Sequence, residues 1–145
     1  MKTRLYLGAV LATLACSSCN LLPESNSESG TASATVNYQD ETGPQLEELS
    51  ISGVSCDVTN GTGSYLTVNS DSSAAIVATV SDGKTLTLTI TFGRDNLVFS
   101  STQPFEATDE GATFTDLPGE VIVSDGGDST YVDEAATASG SIHCP

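Results

Sequence analysis

The sequence predicts an all-β protein: a small antiparallel β-sandwich or barrel of about eight short strands on a flexible N-terminal tether. Two observations carry this. Apolar and hydroxyl residues alternate with period 2 through the C-terminal two thirds, and Gly, Asn, Asp or Pro breaks the alternation every 8 to 12 residues or so. No stretch keeps a sustained helical stripe.

The clearest strand is Thr85-Leu86-Thr87-Leu88-Thr89-Ile90-Thr91-Phe92. Its pattern puts Leu86, Leu88, Ile90 and Phe92 on a core and four threonines in water, as in an antiparallel sheet with one wet face. Ala74 to Val80 forms the strand before it, and Asp82-Gly83 between them is a tight-hairpin signal, because both central positions of that turn need positive φ. Further runs lie at 49–58, 65–68, 97–100, 112–115, 120–124 and 136–144. In the first of these the apolar phase slips by one at Gly53, which predicts a bulge.

Ahead of the β-type region stands a different kind of segment. Lys2 and Arg4 precede an apolar run at 5–15 that is too short to span a bilayer, since a spanning helix needs about 20 residues. A basic start, a brief apolar run and a small residue before the cut describe an export signal over residues 1–15. The run ends in Thr13-Leu14-Ala15-Cys16, which resembles the lipobox of bacterial lipoproteins. That resemblance implies acylation of Cys16, cleavage before it, and a mature protein held on the outer side of a plasma or outer membrane. Each buried acyl methylene contributes about 0.8 kcal/mol, and two chains hold firmly. Local sequence favours Cys16, because Ala15 closes the apolar run. Cysteine parity favours the second candidate, Cys19, which would leave no odd thiol.

Residues 16–44 read as the lipidated cysteine and a tether rich in Ser, Asn and Glu. So polar a stretch cannot bury enough surface to offset the entropy of ordering. About 25 such residues reach about 25 to 30 Å as a coil. Ala34-Thr35-Val36-Asn37-Tyr38 alternates weakly and is an alternative first strand at the domain's edge. The β domain is assigned to 45–145. Cys56 lies in its first good strand and Cys144 in its last, and in an oxidising compartment the two are expected to pair.

Formal net charge is −15, and −17 once Lys2 and Arg4 leave with the signal, so Lys84 and Arg94 remain as the basic side chains of the mature chain. Nucleic-acid binding needs clustered Lys and Arg and is excluded. The expected partners are the membrane, through the lipid, and an unidentified protein or small molecule; the domain itself is expected to be a monomer.

A family resemblance follows from Ile51-Ser52-Gly53-Val54-Ser55-Cys56, the stretch from Ala74 through Asp82-Gly83, and Ala138-Ser139-Gly140-Ser141-Ile142-His143-Cys144. With the lipobox and polar tether, these segments resemble the mycobacterial nineteen-kilodalton lipoprotein antigen family. The resemblance implies a surface-displayed lipoprotein whose acylated end is sensed by host innate receptors, with a glycosylated tether. It supplies no catalytic residues, and the second cysteine of Cys16-Ser17-Ser18-Cys19 departs from it.

Chemistry is sparse. His143 is the single histidine, and it should face outward with Ser139 and Ser141 while Ala138, Gly140, Ile142 and Cys144 face the core. No nucleophile elbow, zinc-protease helix or phosphate-cradling loop occurs. Acid pairs sit in turns, and Asp109, Glu110, Asp125, Asp128 and Asp133 are weak calcium candidates, since loops at one end of a β domain can supply the six to eight oxygens calcium needs. Asn60-Gly61-Thr62 is a glycosylation sequon that reads as a turn in a bacterial protein. The expectation is an envelope lipoprotein with a non-catalytic acidic β domain, a surface antigen or binding module without a cofactor. Two alternatives are an extracytoplasmic carrier of a small apolar ligand and a calcium-dependent adhesion module.

Overall fold

A computed structural model describes residues 29–67, 74–93, 95–125 and 127–145. Nine strands follow in order: β1 Gly30–Asp40, β2 Gly43–Thr59, β3 Thr62–Thr67, β4 Ala75–Ser81, β5 Lys84–Phe92, β6 Leu97–Ser101, β7 Ala107–Thr108, β8 Gly111–Asp125 and β9 Asp128–His143. All pairings are antiparallel, mostly between neighbours in sequence. Because β1 pairs with β9 and β8 pairs with β6, the sheet closes on itself. The architecture is therefore an eight-strand up-and-down barrel, with β7 a short addition beside β8.

The alternation read from the sequence becomes the inside and outside of this barrel. Val36, Val54, Tyr65, Ile76, Leu88, Ile90, Phe92, Phe99, Val121 and Ile142 are all essentially without solvent contact. Full burial of such a side chain is worth about 1.5–3 kcal/mol, so the interior is a packed core. On β1 and β9 several of the inward residues are small, Ala32, Ala34, Ala136, Ala138 and Gly140, beside Val36, Tyr38 and Ile142. The smallest of them makes room for a ring. A Cβ on Gly140 would stand 2.9 Å from the Phe114 ring.

Several expectations hold at the level of single residues. Asp82 and Gly83 take φ of 52° and 73° in the β4–β5 turn, and Asn60-Gly61 make a similar turn between β2 and β3. Gly53, at φ 73°, is skipped in the register as Gly30 pairs with Val54 and Thr31 with Ser52, which is the bulge. Cys56 and Cys144 form a disulfide with Cα atoms 5.9 Å apart and a sequence separation of 88. On the chain-entropy account, closing a loop of that size contributes about 4–5 kcal/mol.

Three expectations need correction. The tether does not run to residue 44: Gly30–Asp40 is a strand, and it is central rather than at an edge, held between β2 and β9. The strands are not all short, since β2, β8 and β9 have 17, 15 and 16 residues. Bulges let β8 and β9 bend around the barrel and then run past it as a hairpin. Finally, the alternation in β5 slips at its start. Thr85 is buried and Leu86 is half exposed, because a register shift opposite Val80 turns them over. The inward Thr85 hydroxyl then accepts from the Phe105 N–H at 3.2 Å and ties down the segment between β6 and β7.

That segment then enters the wall between β5 and β8, and with β7 it covers the gap there at one end of the barrel. Phe105 stacks at 5.2 Å on Phe114, Ala107 N–H donates to the Gly83 carbonyl, and the Tyr65 hydroxyl donates to the carbonyls of Thr108 and Gly111. The chain joins the barrel at this same end. Gly30 sits there between the backbones of β9 and β2, where a Cβ would fall 2.4 Å from the His143 carbonyl oxygen and 3.2 Å from that of Val54. Replacing Gly30 by Val should therefore cost about 2–3 kcal/mol in urea unfolding. Thr31→Val, at an exposed position one residue on, should stay within about 0.5 kcal/mol.

Candidate functional site

The barrel has two unlike ends. The covered end holds the start of β1, the disulfide, the turns at 60–61 and 82–83, and residues 105–110. At the opposite end the β1–β2 and β8–β9 hairpins extend beyond the barrel and part from each other. The β1–β9 register stops at Asn37 and Thr137, and above it an open groove of about 370 Å³ separates the hairpins.

Each hairpin is stiffened by an aspartate. In the β1–β2 turn, Thr42 donates its hydroxyl at 2.6 Å and its N–H at 2.7 Å to Asp40 Oδ1. The Gly43 N–H and the Gln45 side-chain amide add bonds of 3.1 and 3.2 Å. Asp133 bridges the base of the groove: one carboxylate oxygen accepts from the Gln39 N–H and the other from the Ala135 N–H, both at 2.8 Å. Tyr38 lies beneath, edge-on to Phe92 with centroids 5.9 Å apart.

These surroundings shift two groups in this region. The Thr42 hydroxyl, followed by the Thr42 and Gly43 N–H groups and Gln45, holds the Asp40 carboxyl below its ordinary value. Burial pushes the Tyr38 phenol up, and the charges of Glu47 and Asp40 add to that.

The acidic candidates are not brought together. Asp109 and Glu110 form the β7–β8 turn at the covered end, whereas Asp125 and Asp128 are paired in register at the β8–β9 turn at the other. Asp133 is already occupied by two backbone N–H groups. Among the described residues no group of three or more His, Cys, Asp or Glu side chains could hold a metal ion. Asp133 as the link between β1 and β9 is the part the sequence does not reveal, because its partner Gln39 is 94 residues away.

His143 faces outward as expected, its Nε2 3.2 Å from Ser141 Oγ, which lies 3.3 Å from Ser33 Oγ. Residues 141 and 143 are neighbours on one strand face, and among the described residues no carboxylate hydrogen bond orients the ring, so the contact is that of adjacent polar side chains on a wet surface. Cys16 and Cys19 lie outside the described residues. Comparison with protein-family models, with curated proteins and with solved structures yields no match.

Since the folded Asp40 value is depressed, its stabilisation of the turn is present above the ordinary aspartate range. It is lost as pH falls through the depressed folded value. An NMR titration should find the Asp40 midpoint below that of an unstructured aspartate, and Thr42→Val should move it up. An unmoved midpoint in the variant would contradict the assignment of the Thr42 hydroxyl as the main cause.

Proposed function

We propose that this chain is a bacterial cell-envelope lipoprotein that displays a non-catalytic acidic β-barrel as an interaction module. It is anchored through acylated Cys16, with Cys19 the second candidate. The observation that carries the reading is the placement of the chain's entrance: Gly30 joins the barrel at the covered end, opposite the two projecting hairpins. A tether on that end turns the hairpins outward. All the acids but Glu24 and Glu28 lie at Asp40 or beyond, so a mature domain of this kind meets its surroundings as a strongly negative body.

The other readings find less support. The interior that a small apolar ligand would occupy is filled by Tyr65, Phe92, Phe99, Ile76, Leu88 and Ile90. A calcium-dependent adhesion module would need its acids converged at one place, and Asp109 and Glu110 stand at the opposite end from Asp125 and Asp128. The likeness to the mycobacterial nineteen-kilodalton lipoprotein antigens is part of the proposal and brings with it display at a cell surface.

The test is the intact mass of the chain taken from the membranes of the cells that make it, with and without reduction before thiol alkylation. The expected result is a diacyl or triacyl mass beginning at Cys16 or Cys19, with Cys56 and Cys144 alkylated only after reduction. An unlipidated mass would overturn the anchored reading.

A further inference from the structure

Beyond Asn37 and Thr137 the two long hairpins go separate ways, and each leaves a strand edge facing the groove. The longer is on β9. Over residues 128–136 it pairs with β8 on one side, and among the described residues no strand pairs with it on the other. Bulges interrupt its ladder with β8 between Tyr131 and Ala136, so the regular part of the edge is 128–131, and the whole stretch is largely solvent-exposed. The base of the groove is closed by Asp133 with Gln39, so the gap does not simply zip shut.

An unpaired edge of this kind is a template for another strand, and natural proteins commonly guard such edges with charge. Here all the guarding charges have one sign. Asp128, Asp133 and Glu134 lie along the β9 edge, and Asp40 and Glu41 stand in the facing hairpin. Lys84 is in the β4–β5 turn at the far end of the barrel. A second copy of this chain would bring the same acids against these, which opposes pairing between copies. A strand bearing Lys or Arg meets the opposite condition: its backbone can complete the ladder while its side chains neutralise the edge. Tyr131, 61% exposed on the same stretch, offers an aromatic face on which such a cation can stack.

We propose that the free edge of β9 over 128–131, before the bulges and the Asp133–Gln39 bridge, is a strand-addition site for an extended cationic segment of a partner protein. Backbone hydrogen bonds would supply affinity, and the acids with Tyr131 would select the partner. This names the class of partner for the interaction module proposed above, and it rests on that reading only for the direction in which the edge is presented. Binding itself is read on the purified chain, so its failure and the failure of lipid anchoring are separate results.

The experiment uses the full-length chain, isotopically labelled and held in detergent micelles, and three dye-labelled peptides: (Lys-Thr)5, (Glu-Thr)5 and (Lys-Pro)5. The proline peptide matches the charge of the first but cannot pair in a ladder. The expected result is saturable binding of (Lys-Thr)5 that slows amide exchange within 128–131. It should weaken about tenfold on raising salt from about 50 to about 300 mM, as the screening length shortens. (Lys-Pro)5 should bind at least about tenfold more weakly, and (Glu-Thr)5 should not bind. The double variant Asp128→Asn, Glu134→Gln should lose about fivefold in affinity for (Lys-Thr)5 while amide signals outside the hairpin stay in place. Equal binding of (Lys-Pro)5 would reduce the effect to charge attraction and overturn the proposal. So would protection appearing elsewhere on the barrel, protection of 128–131 without peptide that grows with protein concentration, or no binding at all.

Discussion

The domain depends on one strand being shared. β8 pairs with β9 through most of its length and, over residues 120–123, with β6 as well. Those four residue pairs close the sheet. Without them β6 and β8 would be edges, and Phe99 and Val121, which face each other across that seam and are wholly buried, would meet water. Closure removes edges that an open sheet must otherwise protect. It also allows a core of small and medium side chains to serve a chain without tryptophan, with the Phe99 and Phe114 rings lying against Gly119 and Gly140.

Closure also gives the barrel its two ends. At one, residues 105–110, the Tyr65 hydroxyl and the disulfide all bear on the same region, and β1 begins in the narrow space between β9 and β2. Beyond Gly30 those two strands are joined directly by Cys56 and Cys144. The chain therefore leaves the fold at its most heavily braced point. At the other end, two hairpins outgrow the barrel, and Asp40 and Asp133 take over the role of neighbouring strands by accepting backbone N–H groups. A polar side chain that replaces a ladder bond lets a hairpin stand in water without orphaned donors.

Much of this was legible because it is local. The threonine alternation of β5, the Asp82-Gly83 turn, the slip at Gly53 and the outward histidine beside Ile142 all follow from residues next to one another. What was not legible depends on distant partners. Gly30–Asp40 looked like tether because its inward residues include Ala32 and Ala34, too small to stand out from a Ser/Thr-rich background, and only contact with β2 and β9 makes them core. The reversal of Thr85 and Leu86 comes from the register shift against β4, which turns Thr85 toward Phe105, twenty residues away. Barrel or sandwich turned on the β6–β8 seam, and the function of Asp133 on its meeting with Gln39.

An acidic barrel held by its braced end presents its hairpins outward, and that orientation is the centre of the account. The most direct measurement is the labelling of single added cysteines on intact cells by a bulky polymer-linked maleimide, each rate divided by the rate on purified protein. Thr42→Cys probes the β1–β2 turn and Asp109→Cys the covered end; both positions are exposed on the isolated barrel. The account predicts that Thr42→Cys keeps its rate on cells while Asp109→Cys is slowed by the nearby membrane. Equal normalised rates, or slower labelling at Thr42→Cys, would contradict it.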